Sequence, residues 1–195
     1  MNLVAASNFL ALLALAAGAG SLAVIGLHAA ASVAETPRRW LAGVREGVGP
    51  YALWLAWLVA ATAMAGSLYF SEVAGLVPCV LCWYQRIAMY PLAVILLIAA
   101  LRHDLGVRPY ATALAAIGAV ISAYHVVLQR VPGLPSGSCS LEAPCTAIDL
   151  ERFGFVTIPV MALVGFVSVL VLLWIVAQPG EAQPGEAQPG EEAAS

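Results

Sequence analysis

PCVLCWYQRIAMYPLAVILLIAAL, residues 78–101, decides how this chain is read. From Trp83 to Leu101 it is an apolar run broken by one charge, Arg86, and one proline, Pro91. Crossing about 30 Å of hydrocarbon takes roughly 20 helical residues, so the run reads as a transmembrane helix. Pro91 is tolerable inside it because neighbouring helices re-satisfy the freed backbone groups. Cys79 and Cys82 stand where that helix begins, and Arg86 follows Cys82 by four residues, on the same helical face.

Four further stretches have the same character: Val4–Ala31, Tyr51–Ser71, Tyr110–Gln129 and Ile158–Ala177. Pro159 at the start of the last one suits a first helical turn, whose N–H groups have no partner in the helix. Composition agrees, with 62% hydrophobic and 10% charged residues, against about a quarter charged in a soluble domain. The sequence therefore predicts an all-α integral membrane protein, a four-helix transmembrane bundle with one extra N-terminal transmembrane helix. All eight basic residues are Arg, and four of the eleven acidic residues lie among the last fifteen. The net charge of −3 thus describes the tail and argues against nucleic acid.

Loop charge sets the orientation. Arg38, Arg39 and Arg45 lie between the first two spans, and Arg102 and Arg108 between the third and fourth. The positive-inside rule puts both loops in the cytoplasm. The loops at about 72–82 and 130–157 then face outward, and they hold both cysteine pairs, Cys79/Cys82 and Cys139/Cys145. Residues 1–34 read as a retained N-out helix. A cleaved signal peptide is the alternative, since Ser32-Val33-Ala34 looks like a cleavage site, but no positive charge precedes the run and it exceeds a 7–15-residue apolar core. Residues 35–50 read as a cytoplasmic Arg-containing loop and 51–177 as the core. From Gln178 to Glu192 the chain reads QPGEA, QPGEA, QPGEE, so residues 178–195 are expected to form a disordered cytoplasmic tail.

The chemistry lies in the cysteines. At a helix N-terminus, the macrodipole and unpaired N–H groups stabilise a Cys-x-x-Cys thiolate. An Arg one turn inside a span is a functional candidate by default, able to hold a thiolate or a cofactor oxygen. The plainer reading has Arg86 snorkelling to lipid phosphates and Trp83 and Tyr84 forming an interfacial belt. A structural zinc would want four close N/S ligands, so no metal is expected. A Cys139–Cys145 bridge would close a seven-residue loop, worth roughly 2.4 kcal/mol of chain entropy. That suits exchange better than stapling, although spacing leaves the connectivity of four cysteines open. The stretch 147–155 mixes apolar and charged residues and could form a short helix along the membrane surface. His125, beside Tyr124 and one turn before Gln129, shares the outer depth of Arg86 and is a candidate for the same polar pocket. His28 and His103 have no such company, and Glu72 reads as a solvated boundary residue.

PCVLCWYQR at 78–86 resembles the signature of the bacterial disulfide-bond formation protein B (DsbB) family. AYHVVLQ at 123–129 resembles the family's third helix. SCSLEAPCT and GFVTIP, at 138–146 and 154–159, are similar to its BdbC branch. The resemblance spans about 51–177 and leaves the first helix and the repeat tail without counterparts. It implies a quinone-dependent protein disulfide oxidoreductase of the bacterial cytoplasmic (inner) membrane. An extracytoplasmic thioredoxin-fold thiol oxidase, DsbA- or BdbD-like, would attack Cys139, whose mate is Cys145. Electrons would pass to Cys79–Cys82 and, from Cys82, to a membrane quinone, ubiquinone or menaquinone. Arg86 and His125 match the family's quinone-site positions. Two other readings stand beside it. One is a vitamin K epoxide reductase-like protein, where the loop pair would precede the Cys-x-x-Cys. The other is a membrane scaffold or transporter with structural loop bridges.

Overall fold

The computed structural model describes residues 2–131, 133, 139 and 143–177. The repeat tail at 178–195 lies outside the described residues, as do Pro132, Pro135 and Gly137 of the cysteine loop.

Six helices account for most of the described chain: α1 (Leu3–Ala31), α2 (Glu35–Val48), α3 (Ala52–Leu68), α4 (Val80–Arg102), α5 (Arg108–Arg130) and α6 (Ile158–Ala177). Five helical segments are long and apolar enough to cross a membrane, and together they make this a multi-pass membrane protein. Helices α1, α3, α4, α5 and α6 match the five expected spans to within three residues at each end. Pro91 leaves α4 unbroken.

Helices α3 to α6 form the bundle, each packing on two neighbours in the order α3–α4–α5–α6 and back to α3. Lipid tails are as apolar as leucine, so close packing, not burial from water, holds such helices together. Small residues permit that packing. Ala56 and Ala60 of α3, Ala88 of α4 and Ala111 and Ala115 of α5 are buried around Leu92, Leu96 and Phe166. At Gly118 a β-carbon would fall 2.2 Å from the Phe166 ring. Glycine is what lets α5 approach α6 there.

Two segments depart from the sequence reading. Residues 35–48, expected as a loop, form α2, which packs on α1 and the end of α6 and reaches α3 through a 3₁₀ turn at Gly49–Tyr51. At that end His28 meets the Trp174 ring edge-on at 4.7 Å, and Arg45 stacks over the same ring. Residues 147–155 form no surface helix. Instead Glu151–Arg152 pairs with Val156–Thr157 in an antiparallel hairpin (β1, β2). Phe153 and Gly154 both have positive φ, and Phe155 N–H closes the turn on the Arg152 carbonyl. Two successive positive φ values define the tight turn that matches strand twist. That turn chemistry outweighs a short amphipathic pattern.

Candidate functional site

Everything singled out for chemistry gathers at one end of the bundle, where α4 begins and α5 ends. Cys79 is the N-cap of α4, extended at φ −70° and ψ 169°, and its Sγ accepts the Cys82 N–H at 3.4 Å. The Cys79 and Cys82 sulfurs share a hydrogen bond at 3.0 Å as free thiols. Cys139 and Cys145 are joined in a disulfide, with α-carbons 5.8 Å apart. Cys79, Cys145 and Leu128 are buried together, with Cys82 and Cys139 packed against them. One cluster thus holds both pairs.

His125 stands between the pairs. Its Nε2 lies 3.8 Å from Cys79 Sγ and 3.1 Å from the Cys145 carbonyl oxygen, and its Nδ1 is 3.2 Å from Gln85 Nε2. The Gln85 amide nitrogen can only donate, so Nδ1 accepts and Nε2 carries the proton. That proton points at the backbone of one pair and the sulfur of the other. Gln129 and Arg130, one turn further along α5, donate to the carbonyls of Ala147 and Phe155. The end of α5 thereby fixes the cysteine loop over the start of α4.

The hydrogen bond with Cys82 holds the Cys79 thiol at about 4, far below its ordinary 9.0. Burial opposes this shift, while His125 and the Cys82 N–H reinforce it. A pair 3.0 Å apart shares one proton comfortably. The accepted N–H and the facing imidazole favour the anion on Cys79.

Arg86 is buried at the same end of α4. Its Nε donates to Ser67 Oγ at 2.9 Å and its Nη2 to the Ser67 carbonyl at 3.0 Å, with the Trp83 ring 5.2 Å from the guanidinium carbon. Tyr90 hydroxyl also donates to Ser67 Oγ, at 3.3 Å. Trp83 and Tyr84 themselves are exposed, as an interfacial belt would be, and so is Glu72.

Below this polar cluster lies a cavity of about 620 Å³, within the range of small-molecule sites. Cys82, Gln85 and Arg86 line its polar end, and Leu58, Val59, Ala63, Met89 and Met161 are among its apolar walls. His125 is not among the lining residues; it borders a smaller pocket with Cys79, Cys82 and Gln129. Arg86 and His125, expected to share a pocket, therefore border different ones, joined at Cys82. Cys79, Cys82 and His125 also offer three metal-ligand atoms within 4.8 Å of one another. A closed structural zinc site takes four, and no fourth His, Cys, Asp or Glu joins that group among the described residues.

The sequence matches the family described as disulfide bond formation protein DsbB over residues 50–177. The chain belongs to the DsbB family. Within it, the BdbC-like branch is the near one. The chain is 47% identical to the probable disulfide formation protein C 1 of Bacillus anthracis over 135 residues, which is 69% of this chain and 97% of that protein. It is also 47% identical to the disulfide bond formation protein C of Bacillus subtilis over 123 residues, 62% of this chain and 88% of the relative. No solved structure matches significantly. A DsbB-family chain is a membrane disulfide oxidoreductase, and four clustered cysteines at one end of the bundle suit that role.

Ser67 and Gln85 were invisible as site residues in the sequence. Gln85 differs from any other polar residue in a span only through its contact with His125. Ser67, one residue before the end of α3 at Leu68, reads as a small helix-packing residue until Arg86 is seen to reach it.

Proposed function

We propose that the chain reoxidises a thioredoxin-fold thiol oxidase and passes the electrons through its two cysteine pairs to a membrane quinone. The observation that carries this reading is the contact order: loop disulfide, His125, Cys79, Cys82, cavity. We assign the cysteine end of the bundle to the extracytoplasmic side by the positive-inside rule, with the Arg-bearing loops in the cytoplasm of a bacterial cell.

The steps balance as two-electron transfers. A partner thiolate attacks Cys139 Sγ, the Cys139–Cys145 bond breaks, and the partner leaves oxidised while the loop pair becomes a dithiol. That dithiol reduces a Cys79–Cys82 disulfide by the same exchange and closes again. Loop pair closed and Cys79/Cys82 reduced, the arrangement described above, corresponds to the state just after this second step. Cys79 and Cys82 then re-form their disulfide, giving up two electrons and the one proton that the thiolate–thiol pair holds.

A quinone would supply the two-electron sink for that last step, taking one proton from the pair and the second from solvent. The lining fits such a molecule. The fixed Arg86 cation and the Gln85 amide can donate to a ring oxygen beside Cys82, and the apolar walls below suit an isoprenoid tail. Ser67 holds the guanidinium in place. His125 keeps the Cys79 thiolate and the loop backbone in register.

Trapping tests the direction of flow. With the partner's second cysteine replaced by alanine, its remaining thiolate attacks Cys139 of the intact Cys139–Cys145 bridge and Cys145 leaves as the thiolate. The mixed disulfide cannot be resolved by the partner and should accumulate on non-reducing gels. Accumulation through Cys79 instead, with Cys139 untouched, would reverse the proposed order.

A further inference from the structure

The cavity has a wall that the family domain does not supply. The family match begins at residue 50, yet Phe9, Leu10, Leu13, Ala14 and Ala17 of α1 line the cavity. These positions fall on one face of the helix, at spacings of three and four residues, and cover about 12 Å of its axis.

α1 is held to this place by specific contacts. Arg152 Nε of the hairpin donates to the fully buried Ser7 hydroxyl at 2.8 Å. Further down, Ser21 and Ser168 hydroxyls share a 3.0 Å bond, and Gly18 faces Val164 of α6. α1 therefore packs along α6. It approaches α3 at Leu10, whose methyl group lies 2.9 Å from where a Gly66 β-carbon would be. Below that touch the two helices stand apart, and the space between them is the cavity. Without α1, the lining from α3, α4 and α6 would be a groove open to lipid.

We propose that α1 is a specificity wall of the acceptor site, reading the hydrophobic tail of the quinone along Leu13, Ala14 and Ala17. This rests on the reading that the cavity holds a quinone. The ring end, at Cys82 and Arg86, belongs to the family core. The tail end belongs to this chain's added helix. A tail must thread between α1 and α3, so its bulk is sensed there, whereas a tail-less quinone meets only the core residues.

Ala14→Trp in the full-length protein fills the tail path one turn below Leu10. The expected result is an increase of about tenfold in KM for a long-tailed quinone, the scale of a steric misfit in an apolar pocket. KM for a tail-less benzoquinone and for the thiol partner should stay within about twofold. Leu12→Trp, at a position of the same helix that does not line the cavity, should change neither. If Ala14→Trp leaves the long-tailed KM unchanged while Arg86→Ala raises it, the α1 wall is wrong and the quinone cavity stands. If the wild type reduces no quinone at all, the underlying reading fails with it. A tailed azidoquinone photolabel on the wild type covers a variant that does not fold. Label in the 9–17 peptide supports the wall; label confined to α3, α4 and α6, or a purified protein lacking residues 1–34, overturns it.

Discussion

His125 Nε2 lies 3.8 Å from Cys79 Sγ, and His125 is not among the residues that line the cavity. That position makes it a link between cysteine pairs rather than a contact of the acceptor. His125→Ala should slow electron transfer from the loop pair to Cys79/Cys82 by about tenfold, the loss of one charge-assisted hydrogen bond of roughly 1.5 kcal/mol. Rapid thiol trapping after mixing with reduced partner measures that step. KM for quinone should not move, and a rise in it would place His125 at the acceptor after all.

The Cys79 thiolate sets a pH dependence. With its thiol lowered to about 4 from 9.0, the anion's contribution to the reduced fold is full above about 9. It declines as pH falls through that window and is gone below about 4. Between those limits the reduced pair carries one proton for two electrons, so its potential should fall by about 30 mV per pH unit. A slope near 59 mV per unit would mean that both sulfurs are protonated. Equilibration with a thiol redox buffer across pH 5 to pH 8, read by alkylation and mass shift, separates the two slopes.

Arg86 depends on Ser67 for its pose, since two of its nitrogens bond Ser67 oxygens. Ser67→Ala removes the hydroxyl acceptor and keeps the carbonyl. It should raise KM for quinone about three- to tenfold, for one hydrogen bond to a charged group, with KM for the thiol partner unchanged. Arg86→Lys should not restore the wild-type value, because an ammonium lacks the planar fork that meets both oxygens. Equal changes in both Michaelis constants would mean that Arg86 serves the thiolate or the fold instead.

Gly118→Ala tests the packing that carries the site. Its β-carbon would sit 2.2 Å from the Phe166 ring, so α5 or the ring must shift, at a cost of about 1–3 kcal/mol. Thermal unfolding in detergent should show a lower midpoint. An unchanged midpoint would show that the α5–α6 contact is looser than described.

Much of this was legible in the sequence for physical reasons. Spans announce themselves because lipid demands long apolar helices, and α3 to α6 fall where hydropathy puts them. Cys79 at the N-cap of α4 follows from the apolar run that starts just after it. The hairpin at 151–157 was not legible, because Phe153 in a left-handed conformation breaks the rule that such positions favour glycine. Nor was the split between Arg86 and His125. Membrane depth is encoded along the chain, but which pocket a residue lines depends on helix rotation, and tertiary contacts such as Gln85–His125 fix that. α1 as a cavity wall required seeing which face of a uniformly apolar helix meets the core.

In the proposed relay both cysteine pairs lie on one electron path from thiol to quinone. The most direct measurement is stopped-flow quinone reduction driven by a reduced thioredoxin-fold partner, in the wild type and with each of Cys79, Cys82, Cys139 and Cys145 replaced by alanine in turn. Turnover should be sustained in the wild type and lost in all four variants. Full turnover in the Cys79→Ala or Cys139→Ala protein would contradict it.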